Sequence, residues 1–251
     1  MTRKSRLGAA LAVLVLLPVL TATATTARED RAVFPRETHF RCYIVSKQTP
    51  EPAKTVTLRD QFIPDATLTV DEPLQFCAPT SKDGAEILEP EEHLTMYRAS
   101  QELTPNLTVF TEDQFGPRTL EVVGARVLLV PTQKLVGDLE FPRRLNHFRC
   151  YEANGERPRV SVTLEDQFGS DTVRVEQPEL FCNPVEKIRD GERFRILERR
   201  VHLTCYDIHA PQRTTATQVG VMNQLETDTF TVTSFELLCV PSEKQGFQPA
   251  S

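Results

Sequence analysis

One short motif recurs along the chain at a near-constant interval, and that recurrence limits what the chain can fold into. HFRCY occurs at 39–43 and again at 147–151, with HLTMY at 93–97 and HLTCY at 202–206. The opening histidines, His39, His93, His147 and His202, lie 54, 54 and 55 residues apart. A second motif follows each: RDQF (59–62), EDQF (112–115), EDQF (165–168) and MNQL (222–225). An alternating run comes next, TLTV (67–70), TLEV (119–122), TVRV (172–175) and TFTV (229–232). Each repeat closes on a Pro-Lys signature: FCAPTSK, LLVPTQK, FCNPVEK and LCVPSEK. Self-similarity over such a period fixes the organisation ahead of any strand or helix assignment.

A longer period sits above the short one. Repeats one and three open with HFRCY a few residues after FPR (34–36 and 141–143), whereas repeats two and four open with HLT and close with VP. The joints match in the same way, DGAEILE (83–89) against DGERFRILE (190–198). The chain is therefore a duplicated unit of about a hundred residues, each unit an older duplication. The expected units are 34–136, with repeats 37–84 and 90–136, and 141–245, with repeats 145–190 and 199–245. The segment KLVGDLEFPRR (134–144) is the expected boundary.

Within a repeat the apolar period is two. Val56 and Leu58 share a face with Asp60 and Phe62, and Leu68 and Val70 alternate with threonines, as half-buried strands require. Four short strands per repeat are expected, carried by the HxxCY, DQF, TLTV and CxP runs. The predicted class is all-β: two tandem β-sandwich or barrel-like units, each built from two four-strand repeats and stapled by disulfides. A parallel solenoid is the alternative, although four strands in some fifty residues exceed a typical coil.

The six cysteines sort by repeat. Cys42 and Cys77, Cys150 and Cys182, and Cys205 and Cys239 fall in repeats one, three and four. Repeat two has Met96 at the opening position and Leu129 at the closing one. An unpaired half-cystine is a liability in an oxidising compartment, so joint loss points to pairing within each repeat. The expected bridges are Cys42–Cys77, Cys150–Cys182 and Cys205–Cys239, with Met96 and Leu129 packed as apolar replacements. A loop of this length contributes on the order of 3–4 kcal/mol in the chain-entropy model.

A histidine beside acidic motifs admits two readings. His39, His93, His147 and His202 are candidate metal ligands, with Asp60, Asp113 and Asp166 as carboxylate partners. The preferred reading is structural: an imidazole satisfied by a turn carbonyl or by the DQF carboxylate, repeated because every repeat needs it. Asn223, where the other repeats have Asp, keeps an Asx turn but forfeits a charge that a metal site would use. Tyr43, Tyr97, Tyr151 and Tyr206 are expected to pack with a hydrogen-bonded hydroxyl. No GxSxG, HExxH, CxxC or phosphate-cradling glycine loop is present, so no catalytic residue and no cofactor is expected.

Residues 1–27 read as a secretory signal, with cationic MTRKSR, an apolar core at 7–20 and small residues in TATATTA. A membrane anchor is the alternative, but the run is short and Pro18 interrupts it. Without Arg3, Lys4 and Arg6, 26 of the 29 basic side chains face 35 acidic ones, a formal charge of −9. An acidic chain is a poor partner for nucleic acid or anionic lipid. The remaining segments hold no other apolar run long enough for a span, so a secreted or periplasmic protein is expected.

The set H-x-x-C-Y, DQF and C-x-P-x-x-K resembles an uncharacterised family of exported bacterial repeat domains, a domain of unknown function. That resemblance implies export and a β-rich, disulfide-stapled fold, and it brings no activity, cofactor or catalytic residue. The functional expectation is a non-enzymatic exported β-repeat protein, a structural or binding module that engages a protein or glycan surface. The expected contacts are the segments between first and second strands, 46–54, 100–106, 154–159 and 208–218. The alternative is an exported metal-dependent or hydrolytic enzyme using His and Asp.

Overall fold

The computed structural model describes residues 38–48, 52–100, 105–136, 141–210 and 216–250. The signal read at 1–27 lies outside the described residues. So do FPR at 34–36 and parts of three expected contact segments, at 49–51, 101–104 and 211–215. Among the described residues no helix is long and apolar enough to cross a membrane.

Among the described residues every regular element is a strand, and each repeat contributes the same three. Repeat one supplies β1 (His39–Ser46), β2 (Lys54–Arg59) and β3 (Ala66–Lys82). Repeat two supplies β4 (His93–Ser100), β5 (Leu107–Asp113) and β6 (Gly116–Lys134). Repeat three supplies β7 (His147–Gly155), β8 (Val160–Asp166) and β9 (Gly169–Arg189), with a short β10 (Glu192–Phe194) in the joint. Repeat four supplies β11 (Val201–His209), β12 (Thr217–Asn223) and β13 (Thr227–Pro249).

The all-β, disulfide-stapled class is what the structure shows, with a different strand division. The TLTV and CxP runs are one long strand, so a repeat has three principal strands where four are expected. The residues between those runs, Pro73, Gly124 and Pro178, suggest turns in sequence. They instead mark bulges. Register slips on both sides of Pro73 in the β3–β4 pairing and around Gly124 in the β6–β7 pairing. A proline without an N–H, or a glycine, is tolerated in a strand where the ladder is already broken, and the strand bends there.

The repeats join in one sheet. The antiparallel pairings β1–β3, β3–β4, β4–β6, β6–β7, β7–β9, β9–β11, β11–β13 and β13–β1 close a ring. The halves meet directly at β6–β7 and β13–β1, and the described residues fall in one compact unit. The ring is not a plain barrel, because each second strand leaves it to pair across. β2 pairs with β3 and with β9, and β8 pairs with β9 and with β3. In the same way β5 reaches β13 and β12 reaches β6. Each second strand thus binds the long strand of the repeat two places along.

The ring's interior is one apolar layer. The cystines Cys42–Cys77, Cys150–Cys182 and Cys205–Cys239 each join directly opposed residues of neighbouring strands. Met96 opposes Leu129 at the equivalent register. All eight side chains are buried in one cluster with Phe40, Leu94, Phe148 and Leu203. Interiors are close-packed, and here a thioether and an isobutyl group fill the place of the fourth cystine. Outside the ring, the hairpins formed by the second strands cover the other face. Val162, Leu164, Val173 and Val175, for example, pack on Tyr43, Phe76 and Ala78.

Candidate functional site

The recurring motif residues hold the repeats to one another. Each DQF-type Asx closes its own turn by accepting backbone N–H groups. Asp60 accepts from Phe62 (2.8 Å) and Ile63 (2.9 Å), Asp113 from Phe115 (2.7 Å) and Asp166 from Phe168 (2.8 Å). Asn223 accepts from Leu225 (2.8 Å) and Glu226 (3.2 Å). These are Asx turns, local bonds that release the chain from the ladder. The same carboxylates then take the tyrosine of the repeat two places away. Tyr43 donates to Asp166 (2.8 Å), Tyr151 to Asp60 (2.6 Å) and Tyr206 to Asp113. Burial first, and then the facing carboxylate, push these phenols well above their usual range.

Repeat four carries Asn223 in place of Asp, and a neighbouring residue supplies the missing charge. Tyr97 donates to Glu226 Oε1 (2.8 Å) while Asn223 Nδ2 donates to the Tyr97 oxygen (2.7 Å). Glu226 is itself buried and ion-paired with Lys47. The sequence carries a signal for this residue: the one repeat without the aspartate has an acid three positions on, where the other repeats have Ile63, Gly116 and Gly169.

The third motif position explains the alternation between HFRCY and HLTCY. Arg41 is fully buried and grips the repeat-three turn, with Nε to Asp166 (2.8 Å), Nη1 to Asp171 (3.0 Å) and Nη2 to the Gly169 carbonyl (2.7 Å). In repeats two and four a threonine stands there and bonds the closing strand instead, Thr95 with Thr132 (2.8 Å) and Thr204 with Ser242 (3.0 Å).

The structure places the four histidines one per repeat and brings none of them together. His93 Nδ1 donates to the Glu91 carbonyl (3.1 Å) and His202 Nδ1 to the Arg200 carbonyl (2.9 Å). His147 Nε2 donates to Gln224 (2.7 Å), and His39 bonds the Gln114 side chain. None of these bonds reaches a DQF carboxylate. Burial lowers His39, His93 and His202 to about 4, and His147 well below its usual value, so the rings are neutral at pH 7. Among the described residues no group of three or more His, Cys, Asp or Glu is placed to hold a metal ion. The closing lysines meet the next repeat's DQF turn. Lys134 bonds Gln167, Lys187 bonds Gln224, and Lys82 and Lys244 lie over Phe115 (6.0 Å) and Phe62 (4.5 Å).

A cavity of about 490 Å³ opens at the end of the ring where the strands bulge. Its lining comes from all four repeats: Ile44, Leu74 and Gln75; Met96, Arg126 and Val127; Glu179 and Leu180; Asp207, Glu236 and Leu237. Met96, Val127, Leu180 and Leu237 belong to the ring's apolar layer and give the cavity an apolar floor. Its lining carries one cation, Arg126, paired to Glu152 at 3.2 Å, and three carboxylates, Glu179, Asp207 and Glu236. Gln75 Nε2 donates to Glu236 (2.7 Å), and its buried Oε1 has no donor. Burial and the neighbouring Glu176 raise Asp207 above the usual carboxylate range. These rim residues are absent from the motif-based expectation. They occupy equivalent places, two residues after the opening Cys and three before the closing one, where repeats that otherwise agree differ in charge.

Comparison with curated proteins and with solved structures gave no match. A family model described as a repeat of unknown function, DUF7450, matches residues 93–241. The match runs from the opening histidine of repeat two to the closing proline of repeat four, more than half of the chain. This chain, a ring of four β-repeats around a layer of three cystines, belongs to that family of repeats of unknown function.

Proposed function

We propose that this is an exported, non-enzymatic binding module of the cell surface or extracellular space, and that the cavity at the mouth of the ring is its ligand seat. Three disulfides suit an oxidising compartment, where such bonds persist. One observation carries the reading. The recurring tyrosines and Asx residues are spent on one another, whereas the residues that differ in charge at the equivalent bulge positions, Arg126, Glu179, Asp207 and Glu236, line one cavity. A pocket with an apolar floor and a few convergent polar groups is the common form of a recognition site. Strands β1, β4, β7 and β11 all run toward this end before entering the segments expected to make contacts.

The rim favours a partner presenting a cation on an alkyl stem, as a lysine or arginine of a protein surface does. Three carboxylates attract the charge, the floor takes the methylenes, and Gln75 Oε1 accepts a hydrogen bond. The test is a peptide and glycan array probed with the wild-type protein and with an E179K/E236K variant. Binding to basic peptides that the variant loses, at unchanged melting temperature, supports the reading. Equal binding by both proteins refutes the mouth as the seat.

A further inference from the structure

Arg41 and Arg149 are equivalent residues of repeats one and three, and their surroundings differ in one decisive respect. Arg41 finds Asp166 and the Gly169 carbonyl in the tight Asp166–Gly169 turn, and Asp171 just beyond it. Arg149 faces the longer turn of repeat one, between β2 and β3, where Ile63 and Pro64 follow the motif. There Asp65, in the region matching Asp171, turns out to pair with Arg59 (3.3 Å). Arg149 is 1 % exposed, yet Nε, Nη1 and Nη2 all lack an acceptor. Asp60 Oδ2 lies 3.8 Å from Nη1, beyond hydrogen-bond reach, and already accepts from Tyr151.

More donors gather at the same place. Asn183 is the cross-strand partner of Arg149, is fully buried, and its Nδ2 is likewise without an acceptor. Its Oδ1 accepts from Lys244 Nζ (3.1 Å), which fixes the orientation of the amide. The cluster therefore holds two cations, Arg149 and Lys244, against one carboxylate, Asp60. Around Arg41 the equivalent lysine, Lys134, also meets the turn, but two carboxylates, Asp166 and Asp171, balance the two cations. A buried guanidinium with no acceptor on any nitrogen is costly, and an uncompensated buried charge more so.

We propose that Arg149 and Asn183, with Lys244 behind them, form a buried site for a small monovalent inorganic anion of the chloride class. The single excess positive charge sets the valence, and near-complete burial of Arg149 and Asn183 sets the size. The anion stands where Asp171 stands in the Arg41 socket, and it completes the joint between repeats three and one. In repeat one the residue matching Asn183 is Ala78, which offers no donor, as a socket with its own carboxylates requires.

The direct experiment is anomalous diffraction at the bromine edge from crystals of the purified protein equilibrated in sodium bromide. A peak within about 3.5 Å of the Arg149 guanidinium and Asn183 Nδ2 is expected, matching ordinary hydrogen-bond reach with a larger ion. Water alone at that position, or Asp60 rotated into a bidentate contact with Arg149, overturns the proposal. In solution, chloride replacing gluconate at constant ionic strength is expected to raise the unfolding midpoint saturably. Asn183→Leu, which keeps both cations, is expected to weaken the chloride dependence severalfold. A flat response of the wild-type protein overturns the proposal even if no variant folds.

Discussion

The cystine layer can be completed by design, and the outcome follows from the register. Met96 and Leu129 oppose one another as Cys42 opposes Cys77, and both are buried within the same cluster. The variant M96C/L129C should therefore form a fourth bridge without backbone movement. The closed loop spans about 33 residues, which the chain-entropy model values at roughly 3–4 kcal/mol. Each substitution also removes about two methylene-sized groups from a packed interior, at roughly 0.8 kcal/mol each. The two terms nearly cancel, so the double variant should gain no more than about 1 kcal/mol over the wild type. The informative quantity is the coupling. Relative to the single variants M96C and L129C, the pair should recover about 3–4 kcal/mol in chemical denaturation, far above what independent sites show. Non-reducing peptide mapping reads the bond itself. Two free thiols in the folded, oxidised double variant, or a bridge from either position to a native cysteine, would refute the shared layer.

Two other perturbations address the polar locks. Asn223→Asp sets a second carboxylate beside Glu226 and Tyr97, and should cost about 1–3 kcal/mol through like charge and a lost donor. N223D/E226Q returns to the one-carboxylate arrangement of the other repeats, so the double-mutant cycle should show marked positive coupling; simple additivity would show that Glu226 does not stand in for the aspartate. The histidines set an acid limit. His39, His93 and His202 titrate near 4 when folded and near 6.5 when unfolded, so the unfolded chain binds more protons between those values. Stability is therefore fully present above pH 6.5 and falls as pH drops toward 4, by roughly 1–2 kcal/mol per histidine at pH 5. His93→Gln should flatten the decline measured by urea denaturation from pH 7 to 5. An unchanged slope would show that His93 protonates without penalty.

The all-β class and the alternating strands were legible because period and pattern are local properties. The disulfide partners followed from the joint loss at Met96 and Leu129, which is a statement about pairs. Ring closure was not legible. Four nearly identical motifs make every DQF carboxylate an equal partner for every tyrosine, so the pattern says that Tyr43 needs an aspartate without saying which. The choice of Asp166 is made by β8 crossing to β3, a long-range pairing with no sequence mark of its own. The division into four strands per repeat failed for a related reason. Pro73 and Pro178 look like breaks, and only the bent ring shows that they sit at bulges inside single strands. The mouth was hidden because its residues carry no motif. Glu179, Asp207 and Glu236 are distant in sequence, and the ring brings them to one rim.

The central claim is that the four repeats form one ring, each tyrosine locking onto the repeat two places along. A fragment of residues 141–250 tests it most directly, because that fragment is a complete half by sequence. As a monomer it would leave β7 and β13 without their neighbours β6 and β1, and Tyr151 and Tyr206 without Asp60 and Asp113. Sedimentation combined with amide NMR should find the fragment unfolded, or folded only as a two-fold pair that rebuilds the ring from two copies. A folded, dispersed spectrum from a monomer would contradict the claim and restore two independent tandem units.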